Sequence, residues 1–319
     1  MSAPTGPIVT LTANPSFDRT VALPGPLVRG AVVRVEAMTS QAGGKGVNIS
    51  RAAVAAGLTT IAVLPARSDD PFVRELEAVG IDCRPADPAG DIRVNLTLTE
   101  PDGTTTKLNG PGAPVDAGHL DDLAETLVRN AAGGAWTVLA GSLPPDAPNG
   151  YYAELVAQLR GVSRVAVDTS EGPLATLVAD LPGAAPDLLK PNAEELASVT
   201  GTDPAQLETD PGVTAKAART LVDRGVGAVL ATLGARGAVL VDADGAWFAP
   251  SPPTIVVSTV GAGDCTLFGY LLAEQRGLSA PDRLVLAVAY GSAAAGLPGT
   301  TIPGPDDLHP ERVDVQLLD

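Results

Sequence analysis

Short apolar strands alternate with helical stretches through most of this chain, and that rhythm restricts the fold more than any other feature. Residues 8–12 open it as a strand ending in the turn signal Asn14-Pro15. Residues 47–57 read as helix, 61–64 as strand and 72–79 as helix closed by Gly80. Later strands at 136–140, 165–168 and 187–190 precede helices at 151–159, 172–177 and 193–199, and a helix over 214–224 precedes a strand at 228–231. These strands are apolar along their whole length, as burial on both faces requires. The spacing predicts an α/β fold, a parallel sheet sandwiched between helices.

Two regions break the rhythm. Residues 32–38 alternate Val33 and Val35 with Arg34 and Glu36. Residues 92–98 alternate Ile92, Val94, Leu96 and Leu98 with Arg93, Asn95 and Thr97, then turn at Pro101-Asp102-Gly103 into residues 104–108. Period-two alternation with one polar face suits an antiparallel sheet exposed on one side. A small β-lid is expected, built from about residues 14–40 and 91–110 and inserted into a single domain spanning 1–319. The Pro/Gly-rich stretch 297–310 reads as ordered loop.

A chain of 319 residues, 45% of them hydrophobic, needs no staples to bury a core. No apolar run is long enough to span a bilayer, and residues 1–7 lack a basic-then-apolar leader. Cys83 and Cys265 give neither a disulfide framework nor zinc spacing, so reduced thiols and a cytoplasmic location are expected. The net charge of −16 opposes binding to nucleic acid or an anionic membrane. It also makes the four lysines informative: Lys45, Lys107, Lys190 and Lys216.

Four segments carry chemistry. Val260-Gly261-Ala262-Gly263-Asp264 stands ahead of an apolar helix over 267–273. Glycines at a helix start let backbone N–H groups converge on an anion, aided by the helix dipole. Asp264 is placed to take a proton from an attacking hydroxyl, or merely to cap the helix. Gln41-Ala42-Gly43-Gly44-Lys45-Gly46-Val47-Asn48 is a second glycine-rich helix start, without the spacing of a P-loop or of a dinucleotide fingerprint. Lys190-Pro191-Asn192-Ala193-Glu194-Glu195 follows a strand; Asn192 and Glu195 suit either a hydrated Mg²⁺ or a capping box. Thr232-Leu233-Gly234-Ala235-Arg236-Gly237 leaves backbone room for a nucleotide.

Together these segments resemble the PfkB (ribokinase-like) family of carbohydrate kinases over nearly the whole chain. Both family signatures occur in order, Gly43-Gly44-Lys45-Gly46-Val47-Asn48 and Thr259-Val260-Gly261-Ala262-Gly263-Asp264. Thr12-Ala13-Asn14-Pro15-Ser16-Phe17-Asp18, Gly141-Ser142-Leu143-Pro144-Pro145 and the stretch 102–109 look like the hexose-phosphate kinase branch, most like its 1-phosphofructokinases.

The resemblance implies a Rossmann-like parallel-sheet sandwich, the ribokinase fold, with ATP and Mg²⁺ used to phosphorylate a hexose monophosphate. It implies Asp264 as base and the backbone of Gly261, Ala262 and Gly263 as anion hole. Lys190, Asn192, Thr232, Gly234, Gly237, Gly263 and Ser292 would hold the nucleotide, and Glu195 would order Mg²⁺ through water. Asp18, Gly43, Gly44 and Asn48 would grip sugar hydroxyls. Arg34, Arg93 and Lys45, with Ser142, would bind the existing phosphate, a role suited to arginine's bidentate fork. A homodimer through the lid is expected, with no nucleic-acid or membrane partner.

D-Fructose 1-phosphate is the favoured substrate, with tagatose 6-phosphate and fructose 6-phosphate as alternatives. A non-catalytic sugar-phosphate sensor is the rival from another class. Two residues depart from the family pattern. Ser258 replaces an acidic or amide residue near any monovalent-cation site, and Cys265 follows the base, where a quiet packing role is expected ahead of a thiol acidified by the helix start.

Overall fold

The computed structural model describes residues 5–318. The chain begins with β1 (Ile8–Leu11), β2 (Ser16–Ala22), β3 (Ala37–Gly43), α1 (Lys45–Ala55), β4 (Thr60–Pro65), α2 (Pro71–Ala78), β5 (Asp82–Ala86), β6 (Arg93–Thr99) and β7 (Thr105–Asn109). It continues through α3 (Ala117–Ala131), β8 (Trp136–Ala140), α4 (Tyr151–Leu159), β9 (Arg164–Asp168), α5 (Glu171–Ala179), β10 (Leu188–Leu189) and α6 (Ala193–Thr200). The last third holds α7 (Pro204–Thr209), α8 (Pro211–Val222), β11 (Ala228–Thr232), β12 (Ala238–Asp242), β13 (Ala246–Ala249), α9 (Ala262–Gln275), α10 (Ala280–Ala295) and β14 (Gln316–Leu317).

Ten strands form the main sheet in the order β14-β13-β12-β11-β10-β9-β8-β1-β4-β5. The pairs from β5 across to β11 are parallel, as predicted. Beyond β11 the sheet turns antiparallel, which the sequence reading did not foresee. The reason is local: β11 and β12 are joined by a tight turn, far too short for a crossover helix. Alternate side chains feed two cores. Val9 and Leu11 join the layer formed by α3 to α8, whereas Ile8 joins the layer of α1, α9 and α10. Almost every side chain of α9 is buried, which makes it a central helix and a rigid mount for the residues at its start.

A second, four-stranded sheet in the order β3-β2-β6-β7 forms the lid. Its central pair, β2 with β6, is parallel, and the outer pairs are antiparallel. The strand predicted over 32–38 does not form; pairing starts at Ala37, opposite Ala22. Val32 is 95% exposed, so the alternation there has neither a ladder partner nor an apolar surface to cover. In-register neighbours divide the lid into two faces. Ser16, Asp18, Arg93 and Asn95 share the face toward the cleft, whereas Phe17, Val21, Leu96, Leu98, Leu108 and Met38 share the other. Phe17 packs edge-on against Phe72 with ring centroids 5.3 Å apart, tying the lid to α2; such a pair contributes about 0.5–1.5 kcal/mol beyond its buried area. The 297–310 stretch is loop with one short 3₁₀ turn, and Thr300 donates a 3.0 Å hydrogen bond to Gln41 of the lid.

Candidate active site

β1 has β4 on one side and β8 on the other, so the sheet reverses its winding there. Ligands of open α/β sheets gather beyond the carboxyl ends of the strands at such a reversal. A cleft of about 460 Å³ occupies this place, between the strand ends and the lid.

One wall is the start of α9. Gly261 sits at φ 80°, a left-handed conformation that costs glycine little and other residues more. The amide of Ala262 bonds back to Thr259, while those of Gly263 and Asp264 belong to the first turn, where a helix supplies no acceptor of its own. Asp264 does not cap the helix. Its Oδ2 instead accepts a 2.8 Å hydrogen bond from Asn48 Nδ2. Burial pushes the carboxyl up to about 6, aided by the nearby charge of Asp168 and opposed by Lys45, the Asn48 bond and Lys190. A carboxylate poised there accepts a proton at neutral pH.

Beside it lies a residue that the sequence did not single out. Asp168 ends β9 and is fully buried. Lys45 Nζ lies 2.6 Å from its Oδ1, and Lys190 Nζ 3.2 Å from its Oδ2. Burial works against ionising this carboxyl, yet the two lysines overcome it and lower its pKa. Burial likewise works against charge on Lys45, and Asp168 with Asp264 more than offsets it, so the ammonium is retained. Lys45 thus pairs with Asp168 and lines the same cleft as Arg93 and Ser142. An aspartate closing the apolar run Val165-Ala166-Val167 was the available signal, because strand ends in parallel sheets face ligands.

The lid supplies the other wall. Arg93 donates to the Gly110 carbonyl at 3.0 Å and to Ser142 Oγ at 3.4 Å. Asp18 Oδ1 accepts from Ser16 Oγ at 2.8 Å and from Asn95 Nδ2 at 3.0 Å. Its Oδ2 occupies the space beside Gly43, only 2.2 Å from where a Cβ would stand, so a side chain at residue 43 would displace this carboxylate. Gly44 and Asn48 also line the cleft. Asn14, which ties the end of β1 to Pro111 and Leu143, and Asn95 are lining residues missed from the sequence. Arg34 is not brought to this cleft: it is exposed, in the irregular stretch before β3.

A second cavity, of about 510 Å³, adjoins the first and shares Asn192, Thr232, Thr259 and Gly263 with it. Gly234, Gly237 and Ser292 line it. Asn192 and Glu195 form a reciprocal capping box, with 2.8 Å bonds in each direction. That box occupies only Oε2 of Glu195, so one carboxylate oxygen remains for a hydrated cation, and Mg²⁺ typically takes one or two carboxylates with water and phosphate oxygens. No cluster of three acidic, histidine or cysteine side chains able to hold a metal by itself occurs among the described residues. Ser258 Oγ accepts from the Val260 amide. Cys265 packs inside the helix layer, and burial, with the charge of Asp264, pushes its thiol up to about 12.

The sequence profile of the pfkB family carbohydrate kinases matches residues 11–307. The chain belongs to the PfkB family. A 1-phosphofructokinase of Rhodobacter capsulatus is 38% identical to this PfkB kinase over 306 residues, covering 94% of each chain. The solved phosphofructokinase-2 of Escherichia coli in complex with fructose-6-phosphate superposes with a TM-score of 0.84 at 27% identity, over 95% of this chain and 97% of that one. Arabidopsis thaliana ribokinase, at 20% identity and a TM-score of 0.71, shares the fold. The molecule is thus a phosphotransferase of ribokinase-like architecture, and the sensor reading falls away. No helix among its described residues is long and apolar enough to cross a membrane.

Proposed function

We propose that this kinase transfers the γ-phosphoryl group of ATP to the free primary hydroxyl of D-fructose 1-phosphate, giving fructose 1,6-bisphosphate. The observation that carries the reading is polarity along one cleft, with Arg93 and Ser142 at one wall and the carboxylate of Asp264 at the mouth of α9. Relatives bearing the name 1-phosphofructokinase support the choice among ketohexose phosphates.

In this reading Arg93 and Ser142 hold the existing phosphate, and Asp18, Gly43, Gly44 and Asn48 hold ring hydroxyls. Asp264 takes the hydroxyl proton as the oxygen attacks the γ-phosphorus; the bond to the β,γ-bridging oxygen breaks and ADP leaves. The amides of Gly263 and Asp264 and the helix dipole stabilise the charge of the group in transit. Lys190, Asn192, Thr232, Gly234, Gly237 and Ser292 hold the nucleotide. Glu195 would hold Mg²⁺ through water, and the ion supplies neutralisation of phosphate charge when bound. Closure of the lid excludes water that would divert ATP to hydrolysis.

The same reading treats residues 1–319 as one cytoplasmic domain with the lid inserted, and pairs two copies through their lids. The outer lid face supports that pairing, because Met38 and Leu108 are 57% and 53% exposed on it.

An ADP-release assay with fructose 1-phosphate, fructose 6-phosphate and tagatose 6-phosphate tests the substrate. Fructose 1-phosphate is expected to give the highest kcat/KM. A tenfold preference for either of the others overturns the assignment.

A further inference from the structure

We infer that Asp168 is a positioning residue for phosphoryl transfer: it holds the ammonium groups of Lys45 and Lys190 on its two oxygens, facing the path between base and nucleotide. The three residues come from separate elements: the first residue of α1, the last of β9 and the residue after β10. The carboxylate of Asp168 joins their side chains, at 2.6 and 3.2 Å. A buried charge without partners is costly, and two ammonium groups held close without a counter-charge repel each other. Each member therefore depends on the other two, and the group keeps one net positive charge inside the cleft.

Its location gives that charge a use. Lys190 Nζ lies 3.6 Å from the place where a Cβ on Gly263 would stand, so the ammonium borders the glycine loop that opens α9. Lys190 and Asp168 both line the cleft with Asp264. The phosphoryl group in transit spreads negative charge over three equatorial oxygens. Donors already fixed in place stabilise that charge without reorganising at the moment of reaction. Lysine alone is poorly suited to this, being a point charge on a flexible four-carbon stem. Asp168 removes that freedom from two lysines at once. Lys45 also lies within the field of Asp264, while Arg93 and Ser142 stand at the lid wall of the same cleft.

The inference rests on the kinase reading above. Variants are therefore compared with wild type on the hexose monophosphate that wild type turns over fastest, so a wrong sugar shows in the wild-type panel and leaves the ratios readable. Asp168→Asn is expected to lower kcat by about a hundredfold, the scale of one lost preorganised contact. The KM for the sugar phosphate should stay within about threefold, a split that general loosening of the fold would not produce. Adding Asp168→Asn to the paired variant Lys45→Met with Lys190→Met should slow it no further, because a residue acting through its partners adds nothing once both are gone. The triple variant leaves none of the three buried charges unpaired, so its comparison with the paired variant decides the matter even where the single Asn variant fails to fold. Losses that multiply, a kcat within threefold of wild type for Asp168→Asn, or recovery of that variant by excess Mg²⁺ would each overturn the inference; the last would make Asp168 a metal ligand.

Discussion

Asn48 on α1 reaches Asp264 on α9 with a 2.8 Å hydrogen bond to Oδ2, linking the two glycine-rich helix starts. The bond fixes one carboxylate oxygen and leaves Oδ1 to receive a proton. Asp264→Asn should therefore lose on the order of a hundredfold or more in kcat, the usual reach of a general base. Affinity for the sugar phosphate should hold, as measured by calorimetric titration. Near-normal turnover in the folded variant would remove Asp264 from the chemistry.

The elevated titration of Asp264, to about 6, sets a pH dependence. Protonation below that value removes the base, so kcat/KM should fall on the acid side with an apparent pKa near 6 and level off above it. Stability runs the opposite way. A carboxyl that titrates at about 6 when folded and at its ordinary 3.8 when unfolded binds its proton more tightly in the fold. The ionised group thus weakens the fold above pH 6, and the weakening fades as pH falls toward 3.8. Asp264→Asn should accordingly melt no lower than wild type at neutral pH, in calorimetric scans across the range.

Arg93→Ala should raise the KM for the sugar phosphate and leave that for ATP nearly unchanged. One charge-assisted contact contributes about 1.5–3 kcal/mol. Steady-state kinetics varying each substrate in turn will separate the two. Equal increases would mean that Arg93, which also bonds the Gly110 carbonyl, chiefly supports the lid.

Neither cysteine should react with a thiol reagent in the native enzyme. Burial, with nearby acidic groups, pushes both Cys83 and Cys265 up to about 12, and a protonated, enclosed thiol is a poor nucleophile. Titration with an aromatic disulfide should reveal two thiols only after unfolding. Rapid modification of Cys265 with loss of activity would show that the start of α9 opens.

If two lids pair, a charge on the outer face should separate them. Leu108→Asp combined with Met38→Asp should give a monomer by sedimentation equilibrium where wild type gives a dimer. A wild type that sediments as a monomer would refute pairing through this face.

The parallel core was readable because its strands are short, apolar runs: β8 and α4 fall on their predicted bounds. α10 was not, since its alanine-rich sequence is apolar nearly all round and offers no stripe to find. α3 carries a signal, Asp116 ahead of Leu120, Leu123 and Leu127, that lies outside the motifs. Motifs at helix starts gave Asp264, Asn48 and Lys190. Asp168 and Asn95 stayed hidden because their meaning lies in pairings across the fold, Asp168 with Lys45 and Asn95 with Asp18. Arg34 shows the opposite error, where a convincing alternation lacked the neighbouring strand that would have made it one.

The parallel pairing of β2 with β6 has a consequence for how the enzyme is made. Ser16 faces Arg93 across that seam, and between them in the chain lie α1, β4, α2 and β5. A two-stranded ribbon is marginal in water, so neither β2 with β3 nor β6 with β7 is expected to persist alone. As the polypeptide emerges, the first ribbon must wait until that intervening unit has docked and delivered the second. A roof over the sugar site therefore waits on that unit, and a stalled chain ending before Asn109 holds Gly43 and Gly44 with nothing to close over them.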